Sequence, residues 1–153
     1  MDWFSATLAL TVIVRGMGAG LIYDVALISL PVRRQIGVIP YRKFAVANFG
    51  IGVKTYAPVS ILGALLTIVV TIGAFVRGEP ALVNWFTTIA LGATVLAFLG
   101  TSRALPALLS LRQAPDEETF LTGTLNRFAR WHTFSAAWQV VSFIALVVAL
   151  ANL

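Results

Sequence analysis

The sequence predicts an all-α protein, a transmembrane four-helix bundle with antiparallel, up-down-up-down topology. Three observations predict it. The 153 residues are 59% hydrophobic and only 11% charged, with a mean hydropathy of +0.91, which is far more apolar than a soluble domain. The apolar residues fall into four runs, each near or above the roughly 20 residues that a crossing helix needs. The connections between the runs are short, which favours antiparallel neighbours. The length is that of one domain, 1–153.

The first run covers about 3–30. It has no basic leading segment, and it is too long and too interrupted by charge for a secretory signal, so a retained first helix is expected. Pro31 and the Arg33-Arg34 pair are expected to end or bend it. A loop is then expected through Gly37 and Pro40 to Lys43. The second run, about 45–76, is long enough to tilt, and Pro58 inside it predicts a kink. Arg77-Gly78-Glu79-Pro80 reads as a tight turn. The third run is about 82–111, with Pro106 near its end. The stretch 112–123 is the polar loop, and Asp116 ahead of Glu118 and Thr119 predicts the start of a short helix there. The fourth run is about 125–150.

Charge gives an orientation. The net charge of +5 does not point to nucleic acid, because the basic residues sit in short connections beside apolar runs. The first connection holds Arg33, Arg34, Arg42 and Lys43. The third holds Arg112, with Arg127 and Arg130 at the foot of the fourth run. The middle turn holds only Arg77. The positive-inside rule then places the first and third loops in the cytoplasm and both termini outside, in a multi-pass protein of the cell (inner) membrane. Trp3, Trp85 and Trp131 fall near run ends, as an aromatic belt requires. The chain has no cysteine and one histidine. Disulfides and thiolate metal sites are thereby excluded, and no metal site is expected. No cofactor motif is evident.

Candidate site residues follow from ionisable groups at membrane depth, which usually face a bundle interior and pair there. Asp24, Lys54, Arg103 and His132 offer one such group from each run. The expected pairs are Asp24 with Arg103 or Lys54, with His132 beside them. His132, Ser135, Gln139 and Ser142 share one helix face. Asn48, Gly52, Tyr56, Ser60, Thr67 and Thr71 nearly share another, and the third run offers Thr88, Gly92 and Ser102. Gly16, Gly20 and Asp24 recur every fourth residue, a stripe on which a second helix can approach closely. Arg15 lies about half a turn away from Asp24 in angle and about 13.5 Å along the axis. With the Asp24 stripe inward, Arg15 points outward at mid-bilayer, which is costly in lipid. Arg15, Gly16 and Gly20 are therefore expected to meet a partner helix, a lipid, a quinone or a pigment.

Leu125-Asn126-Arg127-Phe128-Ala129-Arg130-Trp131-His132-Thr133 leads into an apolar helix. This stretch, with the glycine-rich first run and Leu30-Pro31-Val32-Arg33, resembles a family of small four-helix membrane proteins, the anthrone-oxygenase-like proteins. Where that family often carries an arginine after the histidine, this chain has Ser135 and Ala136. The resemblance implies cofactor-free oxidation of an anthrone- or quinone-like substrate in the bundle core. In that chemistry His132 would be the base, Asp24 would orient it, and Arg103 or Lys54 would steady the enolate.

Three functions are expected in turn. The first is an accessory or structural subunit of a larger membrane complex, or a homo-oligomer, argued from Arg15 and the near absence of soluble loops. The second is the cofactor-free oxygenase. The third is a small transporter or proton channel leading from Asp24.

Overall fold

The computed structural model describes residues 2–153. Among the described residues there are four helices: α1 (Trp3–Ile36), α2 (Val38–Arg77), α3 (Ala81–Ser110) and α4 (Glu118–Ala151), each long and apolar enough to cross a membrane. Each packs on its neighbour in sequence, and α4 closes the ring on α1. The protein is a small multi-pass membrane protein built as an antiparallel four-helix bundle.

The first, second and fourth helices run past the expected apolar boundaries, whereas α3 keeps to its own within one residue. α2 has 40 residues and α1 and α4 have 34 each, about 50–60 Å at 1.5 Å per residue, against a hydrocarbon layer of about 30 Å. Charge shows where that layer fits. Counting from the end that carries both termini, about 20 residues pass in each helix before the next solvent-facing ionisable side chain. These are Asp24, Lys54, Arg103 and Arg130, and all four are exposed. The Trp131 ring lies at the same level, 6.0 Å from the Arg103 guanidinium and 5.9 Å from that of Arg130. Trp3 and Trp85 are exposed at the opposite boundary, so two aromatic belts bracket a zone whose outer surface is free of charge.

The expected loop over 31–43 is helical. α1 continues through Pro31 to Ile36, and α2 begins at Val38. Gly37 alone breaks the chain, at φ 84° and ψ 161°, a conformation essentially reserved for glycine. The proline signals have other outlets. A π-helical turn, Val25–Ser29, precedes Pro31, where the ring would otherwise crowd the preceding turn of an α-helix. Pro40 sits in the first turn of α2, where its missing N–H has no intrahelical partner to lose. Pro58 lies inside α2 and leaves the Lys54 carbonyl without its usual donor. The short helix expected near Asp116 is the start of α4 itself, at Glu118. Asp116 instead pairs with Arg42, which also donates from Nε to the Leu111 carbonyl at 2.9 Å.

The other end is closed by local chemistry that the sequence announces. Asp2 caps α1 by accepting the Ser5 N–H at 2.9 Å, and this bond holds its carboxyl below the ordinary value. Arg77 joins Asp2 at 3.0 Å and Glu79 at 2.7 Å. Gly78, at φ 67°, ends α2, and the Glu79 N–H reaches back to the Ala74 carbonyl at 3.0 Å, as a Schellman cap requires.

Two apolar clusters form the core. One, including Phe4, Leu8, Val70, Val83 and Leu146, lies toward the termini. The other, including Leu30, Tyr41, Leu111, Leu121 and Leu125, lies at the basic end, where helices extend beyond the zone free of surface charge and burial from water drives packing. Between them runs a polar layer. Arg15 is 2% exposed, and its Nη2 donates to Thr94 Oγ1 at 2.7 Å. Ser142 Oγ lies 3.1 Å from the same hydroxyl.

This layer reverses the expected facing of α1. Arg15 points into the bundle, whereas Asp24 and Gly20 are exposed. Both cannot face inward, being half a turn apart. Depth decides between them, because Asp24 at the boundary can reach headgroups and water, whereas Arg15 in mid-layer cannot. The facing of α3 is corrected too. Thr88, Gly92 and Ser102 are exposed, while Thr87 and Thr94 face inward.

Candidate functional site

Two helix seams differ in how closely they approach. α3 meets α4 through Ala90, Ala97, Gly100, Ser135, Ser142 and Ala145, all buried. A Cβ on Gly100 would stand 3.0 Å from the Ser135 backbone nitrogen. Ser135 Oγ donates to the Ala97 carbonyl at 2.8 Å, and Ser142 Oγ to that of Ala90 at 3.0 Å. Small residues permit the approach and hydroxyls bind across it, the packing mode of membrane helices.

The seam between α2 and α3 is close only near their connecting turn. There Thr71 Oγ1 lies 3.1 Å from the Thr87 carbonyl. Farther along, Val53, Ala57 and Ile61 of α2 face Phe98, Leu105 and Leu109 of α3 across a cavity of about 500 Å³. Val53, Ile61, Phe98, Leu105 and Leu109 are exposed, so the cavity opens sideways between the two helices, toward lipid. The basic end is closed by Arg42 on the 111–116 connection and by Arg112 over the Phe49 ring at 5.5 Å.

The walls are mostly carbon, with a few polar groups among them: Ser29, Asn48, Tyr56, Ser60, Thr101, His132 and Gln139. His132 is half-buried and stacks on Phe128, ring centroids 5.1 Å apart at 28°. Its Nε2 donates to the Ile22 carbonyl at 3.2 Å. That carbonyl lies just before the π-helical turn, and the Val25 N–H also reaches it. With Nε2 donating, Nδ1 is the acceptor of the neutral ring. Gln139 is 4% exposed and lines the same wall. Ser135 stands one step behind it and holds Thr101, whose Oγ1 is 2.9 Å from its own hydroxyl.

The site therefore gathers His132, Tyr56 and Gln139 from the residues predicted by sequence, with Ser135 in support. It does not gather Asp24, Lys54 or Arg103. These are exposed at the boundary level, and among the described residues the ion pairs involve only Arg42, Arg77 and their carboxylates. Arg15 lies within the bundle and does not line the cavity. Gly16 lies closely under Phe143 of α4, where a Cβ would stand 2.9 Å from the ring, and Gly20 is exposed with nothing within 4 Å of its Cβ position. Sequence reasoning missed the π-helical turn, Thr94 and Thr101. Pro31 was the available signal for the turn, since π-helical turns absorb irregularities and cluster at functional sites. The threonines lie at seven-residue steps with Thr87, a helix face hidden by the neighbouring Thr88. No protein-family model, curated protein or solved structure matches the chain.

Proposed function

We propose that the protein takes a flat, lipid-soluble molecule from the bilayer into the cavity between α2 and α3, and that His132 is the polar group that meets it. The observation that carries this reading is the sideways-opening, largely apolar cavity whose wall includes one imidazole. Ligand sites of this kind combine an apolar lining with a few placed polar groups. The stacked Phe128–His132 pair favours a planar occupant.

The resemblance to anthrone-oxygenase-like proteins narrows the occupant to an aromatic ketone, phenol or quinone. In that chemistry Nδ1 of His132 takes the proton from the carbon acid. Tyr56, Thr101 and Gln139, which line the same cavity, replace Arg103 and Lys54 as the groups facing a substrate oxygen. Asp24 has no part in it. On the distribution of basic residues, the basic end faces the cytoplasm and both termini lie outside.

The accessory-subunit reading rested on an outward Arg15 and on the near absence of soluble loops, and the buried Arg15–Thr94 bond removes the first of these supports. The two readings separate in one experiment. Native mass spectrometry of the protein, extracted from its own membrane in mild detergent, should show one small apolar adduct per chain. Ala57→Phe, which fills the cavity, should abolish it, and His132→Ala should weaken it by about tenfold. Stoichiometric association with other polypeptides and no small adduct would restore the subunit reading.

A further inference from the structure

A second, smaller pocket lies against the adjacent face of the π-helical turn. It has a volume of about 170 Å³ and lies between the end of α1 and the flank of α4, lined by Ala26, Leu30, Pro31, Arg33, Arg34, Ala129 and Thr133. Arg33 lines it, and on the same guanidinium Nη1 is buried with no hydrogen-bond partner. Buried polar groups are nearly always partnered, and a guanidinium proton left without an acceptor is costly. No carboxylate lines the pocket, so the chain itself supplies no counter-charge.

Depth identifies the missing group. Ala129 and Thr133 flank Arg130 and Trp131, the residues that mark the boundary of the zone free of surface charge. That is the level of lipid headgroups, whose phosphates are the abundant anions there. Two adjacent arginines present planar, multidentate donors that suit phosphate oxygens better than a point charge does. Thr133 adds a hydroxyl, and Leu30, Pro31 and Ala129 give an apolar floor for a glycerol or acyl stem. We propose that this pocket is a phosphate site, occupied by the headgroup of an anionic phospholipid. Arg33 is its principal ligand, with Arg34 and Thr133 beside it. The bound anion neutralises the Arg33 and Arg34 charges and braces the face of the turn beside the one that lines the larger cavity.

The test is native mass spectrometry of the full chain titrated in separate arms with dioleoylphosphatidylglycerol and with inorganic phosphate. Arg33→Gln should lower the apparent lipid affinity by about tenfold. Thr133→Leu, which keeps both arginines but fills the mouth from an exposed helix position, should do the same. Lys43→Gln removes an equal charge from the basic end outside the pocket, and should change affinity less than about twofold. Lipid adducts lost in both pocket variants support the site with lipid as its source. Phosphate adducts lost in both, with no lipid preference, support the same site with free phosphate as its ligand. Equal binding by the parent and both pocket variants overturns the proposal, as does a loss in Lys43→Gln matching that in Arg33→Gln. Should Arg33→Gln fail to fold, Thr133→Leu decides alone.

Discussion

The α3–α4 seam and the α2–α3 seam are built from equally apolar helices in the same bundle, yet one is closed and the other is open for about half its length. Inside lipid, apolar character gives helices no reason to prefer one another over acyl chains. What closes a seam is small side chains and hydroxyls that reach a facing carbonyl. α3 offers Ala90, Ala97 and Gly100 to α4, and receives Ser135 and Ser142 in return. Toward α2 it offers Phe98, Leu105 and Leu109, which hold the helices apart. Side-chain size, not hydrophobicity, decides where this bundle has an interior and where it has a doorway.

The closed seam is most sensitive at Gly100. Gly100→Leu drives a side chain into the Ser135 backbone, which cannot give way, and should cost at least about 3 kcal/mol. Gly92→Leu, on the exposed face of α3 with nothing within 4 Å of its Cβ position, should cost nothing measurable. Unfolding by SDS titration in mixed micelles distinguishes them. A loss in both would mean that α3 is intolerant of bulk in general.

Next in size is the polar layer that leans on the closed seam. Thr94→Val removes the acceptor of the buried Arg15 guanidinium and should cost about 2 kcal/mol. In an Arg15→Met background the same change should cost less than about 0.5 kcal/mol, because no charge is left unpartnered. A double-mutant cycle with no coupling would contradict the internal role of Arg15.

Filling tests the open seam. Ala57→Phe adds a ring to the cavity and should shift stability by less than about 1 kcal/mol. Ala97→Phe adds the same ring to the closed seam and should cost about 3 kcal/mol or more. Equal penalties would mean that the cavity closes in the bilayer.

The smallest effect concerns the turn at which the open seam is hinged. The Asp2 carboxyl is held below its ordinary value, first by the Ser5 N–H and then by Arg77. A group whose folded value is depressed stabilises the fold above its unfolded value, and loses that contribution as pH falls through the folded one. Fraying of the α1 N-terminus, followed by amide hydrogen exchange at Ser5, should therefore increase on acidification below the carboxylate range. Asp2→Asn should flatten that dependence.

Much of this was legible in the sequence, and the exceptions share a cause. The windows of the four helices that carry no exposed charge are readable residue by residue, as are the Gly78–Pro80 turn and the inward stripe of Ser135, Gln139 and Ser142. What one chain does not display is depth combined with angle. Arg15 and Asp24 exclude each other from the interior, and only the position of Asp24 at the boundary resolves which yields. Lys54 and Arg103 lie at that same boundary, so they reach water instead of pairing. Pro31, Gly37 and Pro40 carry loop signals, but a π-helical turn and a first-turn position absorb the two prolines, leaving a one-residue break. The cavity arises from the meeting of Phe98 and Leu105 with Val53 and Ala57, a pairing across two helices that no single periodicity contains.

The central claim is that the α2–α3 seam admits a flat apolar molecule from lipid. The most direct test is photolabelling in proteoliposomes with an azido-naphthoquinone, with adducts mapped by peptide mass spectrometry. Labels should concentrate on Phe98, Leu105 and the His132 peptide, and should be lost in Ala57→Phe. Labels spread evenly over lipid-facing positions such as Ile72, Phe75 and Val76, and unchanged by Ala57→Phe, would contradict that claim.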